Sequence, residues 1–583
     1  MPTGADSVVR ALEDEDVPFA FGIPGTHTIE LYDALARSAR VTPVLVTDEQ
    51  SASFMADGVW RASGRLGCAA LVPGAGLTHA LSGIAEAYLD TVPMLVLGCG
   101  VRRDTGMAFQ LHDIDQAALA RPVTKAVLRP ERGADLYRAV RDACRLARAG
   151  VPGPVFVEVP AELYLLAHEG DAPPPLSLGD APPQPSPELV ERAAALLTRA
   201  RRPLLYLGFG ARGANVVALA EMLEAPVAST LHGKGVFPES HPLALWPGFG
   251  EAAPPFARSI SRDCDATLAI GCRFGEVATG SYGAEPRRPL IHVDIGQTAL
   301  ERNVETDLAI VSDARAFVDA LLARLTHRPL DGAMRSAIRD GHAAVERGWR
   351  ENASAAGVSP HALLDGLQRR FGPATIYTTD SGNGTFLAME CLRLERAGHF
   401  LAPVDFSCMG YSVPAAIGAK LASADTPCVA LAGDGAFLMT GLELLTAASH
   451  GAAIAVVVLR DRELAQIAQF QSIALGRKTA SRVPDYDLEQ LCGGVGVQYL
   501  RLDRDVEIAD VIDQAAGITE RGAPVVVEAA IDYSGKTYFT RGVVKTNFGR
   551  LPWAERLRFV VRALGRRIAG ARAGAAGRPP GVR

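Results

Sequence analysis

The sequence predicts an α/β protein built from three consecutive doubly wound parallel-sheet domains, and three observations predict it. Its 583 residues are too many for one hydrophobic core. Short apolar, β-rich runs recur along the chain with helical patterns between them, as expected of parallel strands buried on both faces. The alternation breaks twice, at a Pro-rich stretch over 170–188 and at a polar, charged stretch over 326–357, leaving three blocks.

The first block carries "VPFAFG", "PVLVTD", "CAALVP", "PMLVLG" and "PVFVEV", interleaved with helical segments such as "TIELYDALARS". We assign it residues 1–168. The prolines of "GDAPPPLSLGDAPPQPSPE" suit a semi-rigid extended linker, 169–187. A middle domain, 188–325, follows with "RPLLYLG", "APVAST", "CDATLAIG" and "RPLIHVDI". A connecting segment, 326–358, is expected to be helical. The last domain, 359–545, holds "TIYTTD", "PCVALAG", "AIAVVVL" and "APVVVEAAI". The C-terminal extension, 546–583, ends in a Gly/Pro/Arg-rich tail expected to be disordered and solvated.

Composition excludes several function classes. A net charge of −6 over this length favours neither nucleic acid nor an anionic membrane surface. The nine cysteines are scattered, odd in number and without a C-x-x-C pair, so no disulfide framework or zinc site is expected. The N-terminal residues lack a basic and apolar leader, and no apolar run reaches membrane-spanning length. The expectation is a soluble, cytoplasmic protein.

Chemistry enters at Gly433-Asp434-Gly435. Asp434 follows the strand "PCVALAG" and Asp461 follows "AIAVVVL", so adjacent parallel strands would place both carboxylates at one sheet edge. Open sheets of this type bind ligands there. Two oxygen ligands suit a hard divalent cation such as Mg²⁺, completed by phosphate oxygens and water, and a backbone carbonyl just after Asp461 could add a third. Alone, Gly-Asp-Gly is a weak signal because both residues are common in turns. In the first block "VTDEQSASFMADGVWRASG" opens a helix at Glu49 directly after a strand. Taken by itself, Glu49 reads as an acidic residue favoured in a helix's first turn.

Together these stretches resemble the thiamine-diphosphate-dependent enzyme superfamily, in its acetolactate-synthase-like branch. That family's metal signature places an Asn or Asp 27 residues after the Asp of G-D-G, which is Asp461 here. The resemblance implies pyrimidine-binding, middle and diphosphate-binding domains, with thiamine diphosphate and Mg²⁺ as cofactors. It makes Asp434, Asp461 and the Glu463 carbonyl the metal ligands, and Glu49 the group that activates the cofactor. It places Gly25 and the following Thr26 and His27 at the reacting centre, and Gly382, Asn383 and Gly384 at the diphosphate anchor. The Ser407 carbonyl would hold the aminopyrimidine, and Met409 would force the bent conformer. Gly433 and Gly435 flank the metal-binding Asp434. Arg460 and Arg462 have no role in this reading.

Departures from the family pattern fall near the substrate. In "VPGAGLTH", Ala75 and His79 stand where the family has Pro and Asn, and Ala161 replaces the Lys of P-K-D. Anchoring on Arg121-Pro122 puts His112 at the place of an active-site Gln, with Gln110 the competing choice. In the middle domain Gly208, Gly210 and Arg273 match positions near a flavin, so FAD is an open expectation beside a merely structural domain. The implied reaction is decarboxylation of a 2-oxo acid, pyruvate first, with transfer of the acyl carbanion to a carbonyl acceptor. A non-ligating decarboxylase or 2-hydroxyacyl lyase, with His79 or His112 as proton donor, is the first alternative; a catalytically silent cofactor-binding subunit is the second. The family's sites lie between subunits, so a homodimer or tetramer is expected, with no nucleic-acid or membrane partner.

Overall fold

The structure, a computed structural model, describes residues 2–168, 181–351, 357–558 and 561–562. Most of the Pro-rich linker and most of the basic tail lie outside the described residues. Three six-stranded sheets account for the strands. The first comprises β1 (Phe19–Gly22), β2 (Thr42–Leu45), β3 (Gly67–Leu71), β4 (Met94–Gly100), β5 (Ala126–Leu128) and β6 (Pro154–Pro160). The second comprises β7 (Pro203–Leu207), β8 (Val227–Ser229), β9 (Ala244–Pro247), β10 (Ala266–Ile270), β11 (Leu290–Asp294) and β12 (Leu308–Val311). The third comprises β13 (Ile376–Thr379), β14 (Phe400–Leu401), β15 (Cys428–Gly433), β16 (Ile454–Arg460), β17 (Gln498–Leu502) and β18 (Val525–Ala530).

The named strand pairs are parallel, and the central strands are buried on both faces. The first and third sheets share one order, 2-1-3-4-6-5 in their own numbering, while the middle sheet runs 3-2-1-4-5-6. Each order reverses between its first strand and a non-sequential neighbour, and such switch points open a crevice at the carboxyl ends of the strands. The crevices lie between β1 and β3, between β7 and β10, and between β13 and β15. The polar stretch before the third domain carries the helix Gly332–Glu351.

First and third domains meet through two helices, Glu49–Ser63 and Ser412–Ala422, which share one apolar core. The Glu49 helix starts where the Asp48 side chain accepts from Gln50 N at 2.7 Å, and it stops at Gly64 with φ 74°. Ser51, Ala52, Ser53, Ala56 and Gly58 give it small faces, and the helix is buried nearly all round. A Cβ on Gly58 would sit 2.2 Å from the Ala415 carbonyl oxygen, and one on Gly418 would sit 2.1 Å from that of Met55. Glycine is what permits this backbone approach.

Candidate active site

Glu49 is 7% exposed at the head of its helix, where the partial positive charge of the N-terminus favours a carboxylate. Its Oε2 lies 3.3 Å from His79 Nδ1 on the neighbouring helix Ala75–Leu89, and a Cβ on Gly76 would come within 3.3 Å of Oε1. His79 itself is largely exposed, with 59% of its side chain open. Gly25 follows β1, and its N–H donates to Thr28 Oγ1 at 2.9 Å, folding the turn so that Thr26 and His27 come next. The His27 and His112 rings stand edge to face at 5.7 Å. Burial, then the charge of His112, keeps His27 more readily neutral than usual. His112 adopts φ 68° and packs its backbone against Gly74. Gln110 instead donates to the Arg102 carbonyl at 2.8 Å in an exposed loop. The geometry thus joins Glu49 with His79 and His27 with His112, and leaves Gln110 apart from both pairs.

Asp434 and Asp461 emerge together at the edge of the third sheet, because Gly433 of β15 registers with Leu459 of β16. Asp434 is buried and accepts from Gly435 N and Arg462 N, both at 2.7 Å. Asp461 accepts from Glu463 N at 3.2 Å. Burial, then repulsion from Asp434, raises Asp461 to about 7, and burial raises Asp434 too. Two desolvated carboxylates that repel each other form a donor set that a divalent cation would satisfy, so the residues fit Mg²⁺. The Glu463 side chain is turned to Lys478 at 2.7 Å, and strand-like pairing of this segment uses the Arg462 carbonyl and the Leu464 N–H. That leaves the Glu463 carbonyl outside those bonds. Arg460 has a structural role: buried, it stacks 4.0 Å from the Tyr486 ring centroid and donates to Asp485 at 2.6 Å.

The same crevice carries the other third-domain residues. Gly382, at φ 135°, precedes the helix Asn383–Cys391, whose free N–H groups suit a phosphate. Ser407 holds φ 66° and pairs its hydroxyl with that of Ser381 at 2.8 Å. Met409 is half-buried, with its methyl 3.7 Å from where a Cβ on Gly435 would stand. Beneath them Asp380, raised by burial to about 6, accepts from Tyr411 N at 2.7 Å and from the Ser412 hydroxyl, fixing the loop.

In the middle domain the crevice between β7 and β10 is a cavity of about 220 Å³ touched by Gly210, Arg273 and Asp294. Gly208 and Gly210 are needed for packing, since a Cβ on either would meet Gly271 at 2.0 and 2.8 Å. Arg273 is committed to the Leu89 carbonyl at 2.6 Å and to Asp405 at 2.5 Å.

Several residues that sequence patterns did not single out hold these parts in place. Buried Gln116 accepts from Gly74 N at 3.0 Å and donates to the Cys99 carbonyl at 2.9 Å. Glu443 accepts from Thr47 N and Oγ1 at 2.9 and 2.7 Å, tying the strand before Glu49 to the third domain. Where all three domains meet, Asp90 contacts Arg61 at 2.7 Å, His232 at 2.8 Å and Asp405 N at 3.0 Å. Burial would raise the Asp90 carboxyl, but His232 and Arg61 outweigh it and hold it below the usual range. Among the described residues no hydrogen bond or ion pair joins Glu49 to Ser407, Met409, Asp434 or Asp461.

Three family models match the chain: the N-terminal TPP binding domain of thiamine pyrophosphate enzymes over residues 2–119, their central domain over 190–321, and their C-terminal TPP binding domain over 380–529. The chain is 31% identical over 551 residues to an acetolactate synthase of Mycobacterium bovis, covering 90% of this chain and 87% of that protein. It is 30% identical over 562 residues to the acetolactate synthase isozyme 3 large subunit of Escherichia coli (strain K12), covering 92% and 96%. A probable acetolactate synthase large subunit of Methanocaldococcus jannaschii is 30% identical, with 91% and 92% covered.

Proposed function

The chain belongs to the thiamine-diphosphate-dependent enzymes, in the acetolactate-synthase-like branch, and is a carboligase of that type; we propose that it decarboxylates a 2-oxo acid, pyruvate in the first instance, and transfers the acyl group to a second carbonyl compound. The paired carboxylates Asp434 and Asp461 at one sheet edge carry this reading. With the Glu463 carbonyl they would hold Mg²⁺, and the N–H groups at Gly382, Asn383 and Gly384 would receive the diphosphate. Thiamine diphosphate, when bound, supplies a carbon that takes up the electron pair left when CO₂ departs.

Glu49 would exchange a proton with the cofactor's pyrimidine. Its burial excludes water and strengthens that hydrogen bond. The Ser407 carbonyl and Met409 would position the ring, and His27, with Thr26 beside it, would face the substrate as a neutral imidazole. We propose, from the family resemblance, that the site is completed across a homodimer or tetramer. Exposed Leu438, Met439, Leu442 and Leu445 beside Asp434, 46–57% open, supply an apolar surface for such contact. FAD is the ligand we propose for the middle-domain cavity, which Asp294 lines, and an absorbance spectrum of the purified protein tests it. All nine cysteines are unpaired, which suits a reducing cytoplasm.

The test is an assay of protein loaded with Mg²⁺ and thiamine diphosphate, fed pyruvate with a panel of 2-oxo acids and aldehydes. Products are read by mass spectrometry and NMR. A ligated product that falls about 10²–10³-fold in Glu49→Gln is expected. Free aldehyde without ligation would replace the proposal by simple decarboxylation.

A further inference from the structure

The third domain's crevice opens into a cavity of about 550 Å³ that begins at Ser381, Gly382 and Ser407. Its floor and walls are mostly apolar: Val277 and Leu231 come from the middle domain, Phe386 from the helix after Gly382, and Phe470 from the helix Ala465–Leu475. The roof is the helix Tyr538–Arg550, which contributes Phe539, Val543 and Phe548. This helix lies beyond the part of the chain that matches the C-terminal family model, which ends at residue 529. It is fastened in place: Gly542 presses on the Glu251 carbonyl, Lys545 pairs with Glu251 at 2.8 Å, Arg550 donates to the Tyr282 carbonyl at 2.6 Å, and Phe539 stacks on Phe386 with centroids 4.4 Å apart.

Among the described residues the cavity wall carries one charged side chain, Glu276, and no Lys, Arg or His. A carboxylate entering this space would lose water without gaining a cation from this chain. The end of the cavity at Gly382 and Ser407 would adjoin the cofactor, and the apolar space beyond it, toward Phe539, Val543 and Phe548, is wider than a three-carbon acid needs.

Resting on the carboligase reading above, we propose that the acceptor is a neutral carbonyl compound with a sizeable apolar group, such as a medium-chain or aromatic aldehyde, and not a second 2-oxo acid. The bond between C1 and C2 of the donor acid breaks, CO₂ leaves, and the electron pair stays on C2. C2 then bonds to the acceptor's carbonyl carbon, whose oxygen takes one proton from solvent. The acid anion, the aldehyde and one proton thus give CO₂ and a neutral 2-hydroxy ketone. Gln466 is a neutral polar group on the wall able to meet a carbonyl or hydroxyl without demanding charge, while Ser281 is hydrogen-bonded to Glu276 and Asn547.

The experiment uses the full chain loaded with Mg²⁺ and thiamine diphosphate and [1-¹³C]pyruvate as donor. Hexanal, benzaldehyde, pyruvate and 2-oxobutyrate compete as acceptors. Release of ¹³CO₂ reports the donor half by itself. The expected result is a hexanal- or benzaldehyde-derived ketone in at least about tenfold preference over acetolactate. Normal ¹³CO₂ release with acetolactate as main product overturns the acceptor class and leaves the carboligase reading intact. No Glu49-dependent ¹³CO₂ release from any 2-oxo acid sinks the underlying reading instead. Val277→Arg should shift the preference toward 2-oxo acids by at least about tenfold, and Phe548→Lys on the exposed rim should do so in the same direction. An unchanged preference in both, with folded protein, counts against the cavity as acceptor site. Calorimetric titration with 1-hexanol and hexanoate, neither able to react, measures the cavity's preference without turnover. Tighter binding of the alcohol is expected, and equal or tighter binding of the carboxylate overturns the proposal.

Discussion

Asp461 holds its proton up to about pH 7 because it is half-buried and faces Asp434. In an unfolded chain it would ionise near pH 4. Its folded affinity for the proton is therefore the higher one, so between roughly pH 4 and pH 7 the folded state carries more protons and the metal-free protein loses stability as pH rises. Melting temperatures of metal-free protein should fall across that window, Asp461→Asn should flatten the fall, and Mg²⁺ with thiamine diphosphate should protect most above pH 7. A metal-free melt that is level from pH 4 to 7 would remove the repulsive pair. Asp434, Asp461 and Glu49 were legible in the sequence because each stands at a strand end within a local motif. Gln116 and Glu443 were not, because their partners lie 42 and 396 residues away, and nothing local marks a side chain that clamps a distant loop.

The Glu49 helix and the helix Ser412–Ala422 approach through glycines, which leaves no room for a methyl group. Gly58→Ala would push a Cβ onto the Ala415 carbonyl, which is backbone and unable to swing aside. Overpacking of this kind costs about 1–3 kcal/mol. Thermal melts should show a clear drop, with loss of activity larger than the loss of folded protein because Glu49 rides on the displaced helix. An unshifted melting temperature would show that the helices can separate freely. Among elements, the central strands were readable as continuous apolar runs. Those that escaped, β5, β9, β12, β14 and β17, all lie at sheet edges. Most are short or half-exposed, as in the partly open β17, and so lack the run of buried residues that marks a central strand.

At the scale of the molecule, Asp90 is a point at which all three domains meet, since it contacts Arg61 from its own domain, His232 from the middle one and the Asp405 N–H from the third. Removing one partner of a buried ion pair leaves the others uncompensated and costs about 3–5 kcal/mol. Asp90→Ala should therefore lower the melting temperature more than Asp90→Asn and expose inter-domain segments to limited proteolysis. Melts of both variants equal to that of the unaltered protein would show that the charge at this junction does not matter. Three-block organisation was visible from the sequence because strands and helices alternate locally. The junction was invisible, because it forms only when three separately readable units are packed together.

A site shared between subunits would also have a genetic reading. If each site draws its glutamate from one subunit and its metal ligands from another, two defective alleles can mend each other. A cell making Glu49→Gln and Asp434→Asn chains together would assemble some mixed dimers in which one site receives neither lesion. Recovered activity would then depend on subunit exchange, and a chain carrying both substitutions would rescue nothing when paired with either single mutant.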